Sequence, residues 1–491
     1  MLWISIFLPD LCLQAHCRDG LGHLVDIPLA VSDGTASRPC VHAANPKALQ
    51  AGIKIQMPLA AAQARATGLI VIPRNIEKEK KTVALIAEWL SQFTPMVCIE
   101  SEGASLDVSA SLRLFGGIAA ITERIRIGIG ELGFNVDIGV APTPLAAWLL
   151  AKASRHRGKM LMCPDPAHLP EYLGEIPLVF FPWPAEVLQV LDSLGFACVN
   201  DLLQQPRTGL NRRLGNIVVH DLDRALARIP DPRVPIRLAE NFRADIDLPF
   251  EVIDTERLAV PVGMLLAQMQ GFLRARDAAV SKIELELKHG RVLVTRHGFG
   301  ARQPIRHAAD WMCLIRERLS AHPFAEPVSA IGLSTGRLSH FQKQNVSWLP
   351  TAHGHHEEWQ TLLARIASRL DGEAHKGESS VFSIRLMEDP RPERAWCADG
   401  GHEKSPHSRQ SKSRPLLLLS PPLAISTTGG VPEHHGLLEF LTVAERVEAG
   451  WWDNRPVVRE YFIARNPQQE ICWVFRDFCQ DERWYLHGYF S

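Results

Sequence analysis

Residues 4–14 read ISIFLPDLCLQ, and what this stretch holds and lacks decides the fold. From Trp3 to Leu8 the run is apolar except for Ser5, the pattern of a buried strand. Pro9 and Asp10 close it, and no basic segment precedes it, so it predicts a first strand and not a signal peptide. Outward from here, strand and helix signals alternate to about residue 160. Residues 69–72 form a strand run ended by Pro73, and 80–93 have helical periodicity. Residues 96–99 and 104–108 flank a turn, and 118–132 form an amphipathic helix stopped by Gly133. A strand at 136–140 and a helix at 144–154 follow. The pattern predicts an α+β sheet domain with helices on one side.

With 491 residues the chain is too long for one core. Residues 165–235 read as short helices closed by Pro230-Asp231-Pro232. Between 240 and 340 the order is a long helix (256–276), a hairpin (282–288 and 291–297) turning at His289-Gly290, a helix (305–320) and a strand (328–335). Residues 395–414 are rich in Ser, Lys, His and Gly, and predict a linker. The tail holds Trp451, Trp452, Trp473 and Trp484, with strands predicted at 470–476 and 484–489. The expected divisions are therefore 1–165, 166–236, 237–340, 341–413 and 414–491.

Fifty-three basic and 54 acidic residues leave a net charge of −1, which does not exclude nucleic acid, because that footprint is local. Ten scattered cysteines without a CxxC pair read as reduced thiols in a cytosolic protein with no metal site. Apolar runs are short, so no membrane span is expected. His353, His355 and His356 read as a solvated loop, and Gly298-Phe299-Gly300 as a turn.

Several segments, in order, resemble the Y-family DNA polymerases. Residues 48–73, ALQAGIKIQMPLAAAQARATGLIVIP, resemble the fingers, and 102–116, EGASLDVSASLRLFG, the second catalytic strand. Residues 139–154, GVAPTPLAAWLLAKAS, resemble the palm strand and helix. The thumb is similar to 176–231, with its LGFACVNDL, and the little finger to 240–340. The fold implied is a multidomain α+β chain: palm and fingers, helical thumb, little finger, and a small C-terminal domain.

The departures bear on function. The family's first strand begins D-x-D-x-F-F-A-x-V-E; here those acidic positions carry Ser5, Phe7 and Gln14. The D-E pair of the second strand corresponds to Glu102 and Gly103. Two-metal phosphoryl transfer needs carboxylates to bridge and hold two Mg²⁺ ions. A serine hydroxyl is a weak ligand, and Gly103 offers no side chain. On strand alternation, Asp10 is expected on the opposite face from Ser5. The fingers' Y-x-A-R positions for the triphosphate correspond to Pro46 and Leu49, which cannot bond a phosphate, and two palm-helix lysines correspond to Pro144 and Trp148, with Arg155 a further cation. The resemblance thus implies a chain with no catalytic centre, no cofactor and no metal.

Three surfaces remain. Arg274, Arg276, Lys282, Lys288, Arg291, Arg296, Arg302 and Arg306 are candidates for phosphate contact, although Asp277, Glu284 and Glu286 interleave. Gln344 and Trp348 have the spacing of a sliding-clamp peptide, against the plainer reading of Trp348 as a packing residue. The tail runs GWWD (450–453), REYF (459–462), CWVFR (472–476) and RWYLHG (483–488), which resembles the C-terminal motif of ImuB-type mutagenesis proteins, polymerase-like chains lacking the catalytic acids. Its candidate partner-binding residues are Trp451, Trp452, Arg459, Tyr461, Trp473, Arg476, Trp484 and His487; most are expected in the tail's core, a subset exposed. What the resemblance implies is a cytoplasmic, nucleoid-associated adaptor of the SOS response. Its partners would be the sliding clamp, a RecA-like accessory protein, an error-prone C-family polymerase and damaged DNA. The alternative is an active translesion polymerase with an altered metal site.

Overall fold

Ile4 and Ile6 alternate with Trp3, Ser5 and Phe7, so the first strand, Trp3–Phe7, shows each side of its sheet a different chemistry. In the computed structural model it lies at the centre of five strands, in the order Val97–Glu100, Gly103–Asp107, Trp3–Phe7, Asp137–Ala141 and Leu161–Met162. The model describes residues 1–18, 27–33, 38–290, 293–321, 326–341, 362–363, 365–366, 369, 383–387, 389–399, 414–479 and 482–490. These fall into two units, Met1–Lys376 and Gly377–Ser491.

Helices cover both faces of the central sheet, not one. Ile4, Ile6, Leu106 and Val140 pack against helices Ile76–Leu90 and Ile118–Glu131. On the other face Trp3 joins Leu145 and Leu149 of helix Pro144–Arg157. That helix can lie there because residue 139 is glycine: a Cβ would come within 2.3 Å of Ala147 O. It is buried almost all round, so it lacks the one-sided pattern that marks a surface helix.

A small sheet of Val41–Ala44, Leu29–Ser32 and Ile70–Pro73 forms the fingers-like part. Its core is mostly alanine (Ala30, Ala48, Ala62) with Val41 and Ile53, too small-featured to announce the first two strands in sequence. The thumb-like part is a set of short helices. Among them Leu169–Gly174 and Arg207–Leu214 are unpredicted, the latter burying only Leu210 and Leu214.

Residues 243–340 form a five-stranded sheet, ordered Leu293–Ile305, Ala278–His289, Val328–Thr335 and Arg243–Val252, with Leu338–His340 also paired to Ala278–His289, and with helices Thr255–Ala275 and Ala308–Ala321. Strand Leu293–Ile305 carries straight through Gly298-Phe299-Gly300, which pair with Glu284, Ile283 and Lys282. The turn expected there is a strand, and the second helix begins later than expected. Helix Thr255–Ala275 is, among the described residues, long and apolar enough to cross a membrane. Here its apolar residues Leu258, Leu265, Met269 and Phe272 are core. It also meets the palm: Trp89 lies where a Cβ on Gly271 would come within 2.1 Å and one on Gly128 within 2.3 Å of its ring.

In the second unit, seven strands pair antiparallel. Leu417–Thr428, Arg483–Phe490, Ile471–Asp477 and Val457–Arg465 lie side by side in that order, the middle two matching the predicted pair. The unit also contains a hairpin of Ser383–Leu386 with Trp396–Asp399. The predicted linker therefore gives way to a strand at its start, while 400–413 lie outside the described residues. What fixes this segment is charge: Arg391 donates to Asp389 at 2.6 Å and to Asp453 at 2.8 Å. The second carboxylate is far along the chain, so composition does not reveal it.

Candidate functional site

Ser5 sits at the sheet centre, fully buried and paired across to Ser105 and Gly139. Its Oγ shares a 2.8 Å hydrogen bond with Ser105 Oγ, which donates to Glu100 Oε1 at 2.9 Å. Arg233 donates to Glu100 at 3.1 Å and to Asp231 at 3.1 Å, and Asp231 accepts Leu145 N–H at 3.2 Å. A line of polar groups thus runs from the first strand to residues 231–233. Burial raises the Glu100 carboxyl above its usual range, although Arg233 draws it back.

Two pairs further along, on the same face of the strand, Phe7 lies opposite Gly103. Phe7 meets Trp148 edge-on, with centroids 5.8 Å apart, and Lys152 Nζ stands over both rings, 5.5 and 5.3 Å from their centres. Lys152 also lies 3.6 Å from Glu102 Oε2. At Gly103 a Cβ would come within 2.0 Å of Ile6 O and 3.1 Å of Trp148. No carboxylate fits at 103 without moving backbone, and the one acid kept, Glu102, already faces an ammonium group. Gln14 is buried and accepts Asn135 N–H at 3.0 Å. Asp10 is not on the strand at all: the strand ends at Phe7, and Asp10 accepts from Asn135 Nδ2 at 3.0 Å and pairs with Arg155 at 3.4 Å. Among the described residues no group of three or more His, Cys, Asp or Glu side chains comes together in a way that could hold a metal. These side chains do not fit a two-metal centre.

In the fingers-like part, Pro46 opens helix Pro46–Gln50 behind an Asn45 cap, and Leu49 is half exposed. Neither offers a polar side chain.

The basic candidates separate. Arg276 donates to Ala239 O and Phe272 O and lies 3.5 Å over the Phe272 ring, so it closes the end of its helix. Arg306 is held by Asp277 and Ala278 O. Arg296 lies between Glu284 (3.7 Å) and Glu286 (3.0 Å). Lys282 and Arg274 are exposed and make no ion pair among the described residues; Lys288 is half-buried. Arg291, the Arg302 side chain, Gln344, Trp348 and the His353–His356 cluster lie outside the described residues.

In the tail, Tyr461, Trp473 and His487 are core. Tyr461 stacks on Trp473 at 4.2 Å; its hydroxyl accepts from Arg459 at 3.2 Å, leaving its own hydrogen for His487 Nδ1 at 3.0 Å. Arg459 also faces Glu393 (3.0 Å) and Asp477 (3.4 Å). Burial, with Arg459 nearby, lowers His487 to about 4. Trp484 is half-buried against Phe440 and Phe462, and Arg476 pairs with Glu482. Trp451 and Trp452 are exposed. Sequence reasoning passed over Lys152, the Glu100–Arg233–Asp231 group and Arg391. Their partners are distant in sequence, and only the chemistry of an uncompensated charge could have hinted at them.

Residues 12–152 match the impB/mucB/samB family model. Over more of its length the chain is similar to Protein ImuB of Caulobacter vibrioides, 23% identical over 465 residues that cover 86% of this chain and 96% of that protein. It is also similar to DNA polymerase IV of Salmonella arizonae, 27% identical over 195 residues. That match takes in 39% of this chain and spans about half, 55%, of the polymerase. Among solved structures, a Y-family DNA polymerase chimera of Dbh and Dpo4 aligns with TM-score 0.39 and 20% identity, covering 70% of this chain and all of that one. DinB from Sulfolobus solfataricus aligns with TM-score 0.38 and 19% identity over the same shares.

Proposed function

We propose that this protein is a non-catalytic adaptor in damage-induced, error-prone translesion DNA synthesis. It would join the sliding clamp, a RecA-like accessory protein and an error-prone C-family polymerase at damaged DNA, in the cytoplasm and at the nucleoid. One observation carries this reading: Phe7, at a position the resemblance matches to a catalytic acid, packs on Trp148 with Lys152 over both rings, and Gly103, at another, has no room for a carboxylate. Mg²⁺ needs hard oxygen ligands to offset its charge; this cluster supplies an aromatic pair and a cation. Similarity to an ImuB protein over most of both chains supports the role, and the second unit supplies surface for partners. Lys282 and Arg274 are the exposed cations that favour direct DNA contact, with sequence-independent, salt-sensitive affinity.

A second reading, an active translesion polymerase with an altered metal site, draws on Glu102 and on the DNA polymerase IV relatives. The adaptor role is tested by mixing the full chain with purified clamp, RecA-like protein and C-family polymerase in gel filtration. Co-elution with all three is expected. Elution alone from every mixture contradicts it.

A further inference from the structure

Trp451 and Trp452 are the most exposed aromatic pair among the described residues, 77% and 51% open, with centroids 5.3 Å apart in edge-to-face contact. They lie in the turn 450–455, between strands Glu445–Ala449 and Val457–Arg465. The turn is built, not slack. Arg455 N donates to Gly450 O at 3.0 Å. Gly450 has φ +83°, and a Cβ there would come within 2.0 Å of Arg455 O and 2.8 Å of Arg391 Nη1, so only glycine passes. The buried Arg391 grips Asp453 with two bonds, at 3.0 and 2.8 Å, and its Nη1 reaches Arg455 O at 3.3 Å. Asp453 takes a second cation, Arg394, at 2.5 Å. The hairpin carrying Arg391 and Arg394 is therefore a bracket for this turn.

The charges decide what such a knob fits. Asp389 is engaged by Arg391, and Asp453 by both Arg391 and Arg394. Arg391 stands 5.5 Å over the Trp452 ring, and Arg455, exposed in the same turn, makes no ion pair among the described residues. We infer that the 450–455 turn is a preformed knob that seats Trp451 and Trp452 in an apolar cleft of a protein partner whose rim carries carboxylates facing Arg455. Rigid indoles lose little freedom on docking and are frequent binding anchors, and opposite charges at the rim speed and orient the encounter. This deepens the adaptor reading and rests on it.

The test titrates the full chain, by calorimetry, into the purified RecA-like protein and into the purified C-family polymerase. The double variant Trp451→Ala/Trp452→Ala should weaken binding to one of them by about 100-fold or more, as two anchors lost together would. Arg455→Glu, which touches no packing, should weaken it about 10-fold and reduce its salt dependence. Both variants should keep the wild-type unfolding temperature. If the wild-type chain binds a partner and both variants bind it equally well, the knob is overturned and the adaptor reading stands. If the wild-type chain binds neither, the adaptor reading falls and takes the knob with it. Unchanged partner affinity together with tryptophan-dependent co-sedimentation on phosphatidylglycerol vesicles overturns the protein cleft in favour of a membrane surface.

Discussion

At Ser5, a position that the resemblance matches to a polymerase acid, a small buried hydroxyl shares a hydrogen bond with Ser105 at the start of a polar line that ends at Arg233 and Asp231. Glu100 and Asp231 are neutralised by Arg233 inside the protein, with side-chain exposures of 13%, 5% and 24%. Removing one partner of such a group leaves charge buried and unpaired. Arg233→Met is therefore expected to lower stability by about 3–5 kcal/mol in denaturant unfolding; a loss under about 1 kcal/mol would mean the group is not coupled. The raised Glu100 carboxyl sets a pH dependence. The native chain keeps a proton where the unfolded chain has lost it, so this contribution is present below the ordinary glutamate range and fades as pH rises through Glu100's native value. Glu100→Gln should remove that fade. His487 runs the other way. Its native value of about 4 lies below the ordinary 6.5, so its contribution is present above 6.5 and is lost as pH falls toward 4. Melting of the wild-type chain between pH 7 and 4 should show that loss, and His487→Phe should flatten it.

At the scale of elements, glycines set how closely helices meet. On an isolated helix, Gly→Ala gains roughly 1 kcal/mol. Gly271→Ala should instead destabilise this protein by about 1–3 kcal/mol, because its methyl would enter the Trp89 ring. A rise in stability on chemical denaturation would show that the palm and the long helix do not touch there. The same scale explains what the sequence made legible. The first strand, helix Ile118–Glu131 and the tail strands stand out because apolar residues repeat at the right period. Strand Arg243–Val252 carries the same kind of signal, Ala244 and Ile246 buried between exposed Arg243, Asp245 and Asp247, although it is not among the strands predicted above. Hairpin 383–399 is hidden because its anchor is an ion group completed by Asp453.

Across the whole molecule, the lack of acids at Ser5, Phe7 and Gly103, which the resemblance matches to catalytic carboxylates, can be read directly from residues 4–14 and 102–116. What replaces them cannot, because Trp148 and Lys152 reach those positions only once helix Pro144–Arg157 is laid against Gly139. Likewise the basic residues of 274–306 look like one patch in sequence, yet Arg276, Arg296 and Arg306 are tied within the fold. At this scale the adaptor reading predicts that Gln344→Ala/Trp348→Ala abolishes co-elution with the sliding clamp; retained co-elution would place clamp contact elsewhere. The central claim is that the polymerase-like body no longer performs nucleotidyl transfer. Primer extension by the purified full chain, supplied with Mg²⁺ or Mn²⁺ and all four deoxynucleotides, tests it most directly. No incorporation above background is predicted, and template-directed synthesis by this chain alone would contradict the account.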